Sequence, residues 1–260
     1  MEIRLENLKW PQIADILKKP NVIILPIGST EQHSLHLPVN VDSVCATYLA
    51  EQTALRFSSR QPVRVLVAPT ISYTEVNTFQ DYPGSFGISL ETEARLIEEI
   101  VRSFLSHNFT NILMLNGHAS NTLPINIALR KVNAEFPEAG LYGISWWSLG
   151  NLAGILKSRP GLHAEEMETS LCLVAEPQNV DMSQARSEYP RFSLSAKWAT
   201  PDFYGATKKV FYHSRTKYPR FGASPGVMGD ATTASRETGL KIAQAVVDDL
   251  VEIIKEIVKI

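Results

Sequence analysis

Val22-Ile23-Ile24-Leu25-Pro26-Ile27-Gly28 is a short apolar run, rich in β-branched residues and closed by a glycine, and it reads as a strand buried on both faces. Runs of the same kind recur at 63–68, 111–115 and 141–145. They alternate with longer stretches of helical period at 44–57, 91–105, 123–136 and 164–175. Strand and helix in alternation imply βαβ units with right-handed crossovers, and hence an α/β fold: a mostly parallel central sheet flanked by helices on both faces. A closing helix over about 233–258 places Leu240, Ala243, Val247, Leu250, Ile254 and Ile257 near one face, which suits packing within the chain or against a copy of it.

With 260 residues, 44% of them hydrophobic and 20% charged, the chain can bury one large core, and a single domain over 1–260 is expected. A formal net charge of −2 gives no general attraction to nucleic acid, and no Lys/Arg cluster offers a phosphate track. A small neutral or polar substrate suits this balance better. Cys45 and Cys172 lie within apolar helical patterns and read as buried, reduced thiols. No stretch reaches the roughly 18 uninterrupted apolar residues of a membrane span, so a cytoplasmic protein without membrane contact is expected. The segment 177–229 departs from this regularity and reads as long loops with short strands that line a site or an oligomer contact.

Three segments hold most of the chemically suggestive residues: Glu31-Gln32-His33 with Asp42, Asn116-Gly117-His118, and His163 through Glu168. In open α/β sheets, sites form beyond the carboxyl ends of strands, where Glu31, His33 and His118 would fall. Each has an ordinary alternative as a polar loop residue. Asp42 precedes a helical run and reads alone as an N-cap, but its nearness to Glu31 and His33 also lets it bridge two cations. Glu168 falls on the apolar stripe of its helix with Ala164, Leu171, Cys172 and Ala175, where a carboxylate is costly unless paired or bound to metal. Glu166 aligns with Ser170 as a solvated face, and Glu165 is intermediate. His163 suits an acid/base in the entry turn better than a same-face partner of Glu168, and His36 suits a supporting role. Imidazoles and carboxylates without thiolates are the usual donor set for two borderline divalent ions, and the pattern points to metal-assisted hydrolysis.

These residues resemble the creatininase (creatinine amidohydrolase) family. The resemblance is carried by Gly28-Ser29-Thr30-Glu31-Gln32-His33, His36-Leu37-Pro38, Asp42, Pro83-Gly84-Ser85, Asn116-Gly117-His118 with Asn121, His163-Ala164, Glu168-Thr169-Ser170 and Gly226-Val227-Met228-Gly229-Asp230. It implies that Glu31, Asp42 and His118 hold one metal and His33, Asp42 and Glu168 the other, with His163 assisting proton transfer. It further implies zinc, with manganese or iron possible at the second site, and a homohexamer acting on a small-molecule amide. Creatininases carry a carboxylate two residues after the histidine matching His118, where this chain has Ser120, and Ser34 replaces a usual glycine. Creatinine is therefore not implied as the substrate. Relatives include formamide deformylases and enzymes that trim a peptide in redox-cofactor maturation.

Trp146 and Trp147 follow the fourth apolar run and suit either an apolar wall for a substrate or packing, and Ser120 and Ser85 are further candidates for substrate binding. Tyr73, Phe79, Tyr82 and Phe86 suit a pocket lid. No Gly-x-Ser-x-Gly elbow frames Ser29 or Ser85, and no phosphate-binding glycine loop is present. Two rivals remain: a dinuclear site that cleaves a phosphate ester, against which stand rims without clustered Arg/Lys, and a non-catalytic metal-stabilised scaffold.

Overall fold

A computed structural model describes residues 2–58, 63–159, 161–189 and 219–259. The apolar runs form β1 (Asn21–Ile27), β2 (Arg64–Val67), β3 (Asn111–Asn116) and β4 (Gly140–Ser145). All pair in parallel, in the order β2-β1-β3-β4. The helices are α1 (Trp10–Ile16), α2 (Val41–Ser58), α3 (Leu90–Ser106), α4 (Thr122–Glu135), α5 (Glu166–Ala175) and α6 (Arg236–Val258).

Alternation along the strands divides the core. Val22, Ile24, Leu113 and Leu115 enter one cluster with residues of α2, α5 and α6, while Ile23, Leu25, Ile112 and Met114 enter the other with residues of α1, α3 and α4. Because helices cover both faces, every position of β1 is buried, which is why the strand reads as a continuous apolar run and not an alternating one. Each fully buried Ile or Leu contributes about 1.5–3 kcal/mol. The apolar pattern does not indicate α1, whose seven residues are too few to establish a period.

Two expected boundaries shift, and both shifts concern the site. Helix α2 begins at Val41, so Asp42 lies inside its first turn. Helix α5 begins at Glu166, after Ala164 takes a left-handed φ of 52° and Glu165 caps it by accepting from Met167 N and Glu168 N. Cys45 of α2 and Cys172 of α5 are buried free thiols with sulfurs 3.9 Å apart.

The packing face of α6 also differs from expectation. Ala243, Val247, Leu250 and Ile254 are buried as expected, but Leu240 is 44% exposed, and Gly239, Ile242 and Val246 complete the face. The reason is Gly239, where a Cβ would sit 1.9 Å from the Ser170 carbonyl oxygen, so α6 meets the backbone of α5 there. Within 177–229, the described part holds short helical turns and the two-residue strands β5 (Ser187–Glu188) and β6 (Gly229–Asp230), paired antiparallel. The rest of that segment, 190–218, lies outside the described residues. Among the described residues, no helix is long and apolar enough to cross a membrane.

Gly239→Ala tests this contact. Helix propensity favours alanine by about 1 kcal/mol, whereas overpacking costs about 1–3 kcal/mol, and a clash with backbone belongs at the upper end. Denaturant unfolding should show the variant less stable despite the better helix former.

Candidate metal centre

The β1 and β3 ends lie side by side, with Ile27 opposite Asn116. The chain leaving β1 buries Ser29, Glu31, Gln32 and His33. The chain leaving β3 turns through Gly117, where a Cβ would lie 2.3 Å from the Asp42 carbonyl oxygen, so only glycine lets this turn rest against α2. That contact carries His118 to Asp42. From the other side, His163 is held by an antiparallel bridge to Met228, and Glu168 follows in the first turn of α5.

The five metal candidates and His163 converge. His118 Nδ1 lies 2.9 Å from Asp42 Oδ2 and 3.4 Å from Glu31 Oε2. His33 Nε2 lies 3.2 Å from Asp42 Oδ1 and 3.8 Å from Glu168 Oε2. Asp42 thus turns one oxygen to each histidine. His163 Nδ1 lies 3.9 Å from Glu31 Oε2. Two groups of donor atoms fall within 4.8 Å of one another, Glu31 with Asp42 and His118, and His33 with His163 and Glu168. His163 therefore stands closer to the second group than its entry-turn position suggests.

Each of the three imidazoles is fixed through its far nitrogen. His33 Nδ1 meets the Glu31 carbonyl at 3.0 Å, His118 Nε2 the Glu75 carbonyl at 3.0 Å, and His163 Nε2 the Gln32 carbonyl at 2.7 Å. A carbonyl only accepts, so these nitrogens carry the proton and donate it, and the opposite nitrogen faces the carboxylates. Such a backbone partner is the usual support of a metal-binding histidine. Both Glu31 oxygens are buried without a hydrogen-bond partner among the described residues. A wholly buried carboxylate without a hydrogen bond, beside imidazole nitrogens that can give up a proton, fits a divalent cation.

Electrostatics agree. Burial opposes charge on His33, yet Asp42, Glu168 and Glu31 outweigh it and push the imidazole up to about 10. His118 also rises to about 10, with Glu31 and Asp42 overcoming burial. Burial likewise opposes the Asp42 charge, but those two histidines hold its carboxyl well below the usual range. Burial pushes Glu31 and Glu168 up. His163 goes the other way: burial and the charge on His33 hold it well below the ordinary imidazole range, so it stays neutral.

The remaining candidates take varied places. Ser85 Oγ accepts from Gln32 N at 3.0 Å and lines a cleft of about 430 Å³ with Val76, Asn77 and Gln80. Ser120 is half-buried on the turn Ala119–Asn121. Trp146 is wholly enclosed in the core cluster, and Trp147 is half-buried edge-on to it. Of the aromatic group, Tyr73 and Phe86 are exposed, whereas Phe79 is buried and stacks on His163 with ring centroids 4.3 Å apart. His36 Nε2 pairs with Thr169 Oγ1 at 2.8 Å, behind Glu168. Ser34 adopts φ 64°, the left-handed conformation that glycine takes freely.

Two readings need correction. Asp42 is not an N-cap: its carboxylate accepts from Ser29 Oγ at 2.6 Å and faces both histidines. Glu166 is not on a solvated face: it is fully buried and accepts from the backbone N–H groups of Lys157 and Ser158. Sequence reasoning also missed Glu75 and Glu93. A carbonyl leaves no signal in a sequence, but Glu93 shares a stripe with Ile97 and Val101 and could have been found by the criterion that found Glu168.

The family model for creatininase, described as creatinine amidohydrolase, matches residues 6–254. The chain belongs to the creatininase family. It is 32% identical over 234 residues to a mycofactocin precursor peptide peptidase of Mycobacterium ulcerans, covering 88% of this chain and 82% of that one. It is 26% identical to a creatinine amidohydrolase of Pseudomonas putida, covering 96% and 95%. A creatininase crystal structure superposes with a TM-score of 0.78 at 22% identity, covering 98% of this chain and 97% of that one. Other solved creatininases of this fold include a manganese form and a zinc–zinc form. The creatininase fold expected from the sequence is thus the fold observed.

The raised histidines fix the sign of a pH effect. They stabilise the ion-free chain fully below their ordinary 6.5, and that contribution is lost as pH rises towards about 10. A cation must displace the proton facing the carboxylates. Melting of the chelated protein should therefore fall between about pH 7 and pH 10 while zinc binding strengthens, and calorimetry in buffers of different ionisation enthalpy should record at least two protons released per chain, since Glu31 and Glu168 are also raised.

Proposed function

We propose that this chain is a dinuclear metal-dependent amidohydrolase acting on a non-peptide or cyclic amide. Glu31, Asp42 and His118 would hold one divalent ion and His33, Asp42 and Glu168 the other, with zinc favoured and manganese or iron an option at the second position. The observation that carries this reading is the fixing of three imidazoles by backbone carbonyls, which turns their free nitrogens towards three buried carboxylates. When bound, the ions supply Lewis acidity, lowering the pKa of the attacking water and polarising the substrate carbonyl.

The chain's own contribution to proton movement centres on His163. Its Nε2–H is tied to the Gln32 carbonyl, and Phe79 covers one ring face, so Nδ1 is the nitrogen that exchanges protons. With Nε2 engaged, Nδ1 is placed to take a proton from the attacking water as the water oxygen bonds to the amide carbon. It returns that proton to the leaving nitrogen as the C–N bond breaks, giving an amine and a carboxylic acid that keeps the second proton of the water. Ser85, Ser120 and Trp147 are candidates to contact substrate at the rim, and the enclosed Trp146 would act through Trp147.

A second reading, trimming of a peptide end, is favoured by the higher identity to the mycofactocin peptidase than to the creatinine amidohydrolase. Zinc- or manganese-loaded protein assayed in parallel on cyclic amides, formamides and short peptides separates the two. His163→Ala should lower turnover by about 10²–10⁴-fold while keeping its metal. Asp42→Ala should lose both ions by mass spectrometry. Near-normal turnover in His163→Ala and in Glu168→Gln would overturn the assignments.

A further inference from the structure

Glu93 is a carboxylate that the proposed chemistry does not use. It lies in the first turn of α3 and is wholly buried. Its Oε2 accepts from the Glu75 backbone N–H at 2.9 Å, and its Oε1 has no hydrogen-bond partner among the described residues. An apolar side chain would fill the same space without desolvating a carboxyl group. The cost of keeping Glu93 therefore has to be offset by what it holds.

It holds residue 75, whose carbonyl accepts the His118 Nε2–H. The short strap around it is otherwise tied at one side: Thr74 Oγ1 donates to the Gly28 carbonyl at 2.8 Å, and Ile88 N donates to the Thr74 carbonyl at 3.0 Å. The Glu75 side chain turns back to accept from Asn77 N at 2.9 Å. Among the described residues, Glu93 is the acceptor for the Glu75 N–H. The far nitrogens of the other two imidazoles are held by the carbonyls of Glu31 and Gln32 and not by residue 75.

We infer that Glu93 is a positioning residue for His118: by anchoring residue 75 it fixes the carbonyl that keeps His118 Nδ1 facing Glu31 and Asp42, and it tunes that half of the centre alone. This rests on the dinuclear reading above. The asymmetry separates it from a packing role, since general loosening of the fold would weaken both halves together.

The test titrates zinc into ion-free full-length protein against a chromophoric chelator, for wild type, Glu93→Gln, Glu93→Ala and Glu93→Met. Wild type should take up two ions. Glu93→Ala and Glu93→Met should weaken one by about 10–100-fold and leave the other within about twofold. Glu93→Gln should stay within about threefold of wild type at both, because its amide oxygen still accepts from the Glu75 N–H. The methionine variant keeps the volume and decides the matter if alanine does not fold. Two unaffected ions in Glu93→Met, or two equally weakened ones, would overturn the role of Glu93. A wild-type chain that fails to take two ions would overturn the dinuclear reading instead.

Discussion

Three carboxylates, Glu31, Asp42 and Glu168, are buried together, and the cationic groups set against them among the described residues are imidazoles, without lysine or arginine. That constraint organises the centre. Buried negative charge needs compensation from within, and an imidazolium can surrender its proton where a guanidinium cannot. The same cluster can thus exist as an internally paired acid–base network or exchange protons for cations. Asp42 and Glu168 also lie in the first turns of α2 and α5, where the helix N-terminus favours negative charge.

Compensation by histidine has a structural requirement, because an imidazole presents one nitrogen correctly only when the other is fixed. The fold meets it with main chain. The Glu31 and Gln32 carbonyls belong to the segment that follows β1, while the Glu75 carbonyl comes from a separate strap after β2. Main-chain anchors are difficult to disturb by substitution at their own positions, which shifts sensitivity onto the side chains that hold the anchoring segments.

Much of this was legible in the sequence, for physical reasons. A parallel sheet covered on both faces demands continuous apolar strands, so β1 to β4 stand out, and strand ends are where ligand-type residues gather. Glu168 was identifiable because a carboxylate on an apolar stripe is costly. The same logic failed for Glu166 because α5 is buried all around, from Glu166 to Cys172, and has no solvated face for periodicity to mark. Asp42 was ambiguous because an N-cap and a residue just inside the first turn look alike until the start of the helix is located. Leu240 was misplaced by a glycine that shifts the packing face of α6. The anchoring carbonyls were invisible, since every residue has one.

The centre is also distributed along the chain. The Gln32 amide donates to the carbonyl of Gly226, 194 positions away, and the next two residues lead to Met228, which pairs with His163. His163 is therefore clasped between two segments far apart in the chain, one after β1 and one before α6. During synthesis, strands β1 to β4 and the helices α2 to α4 can emerge and begin to pack, while the backbone clasp on Gln32 and His163 is missing until the segment before α6 has left the ribosome.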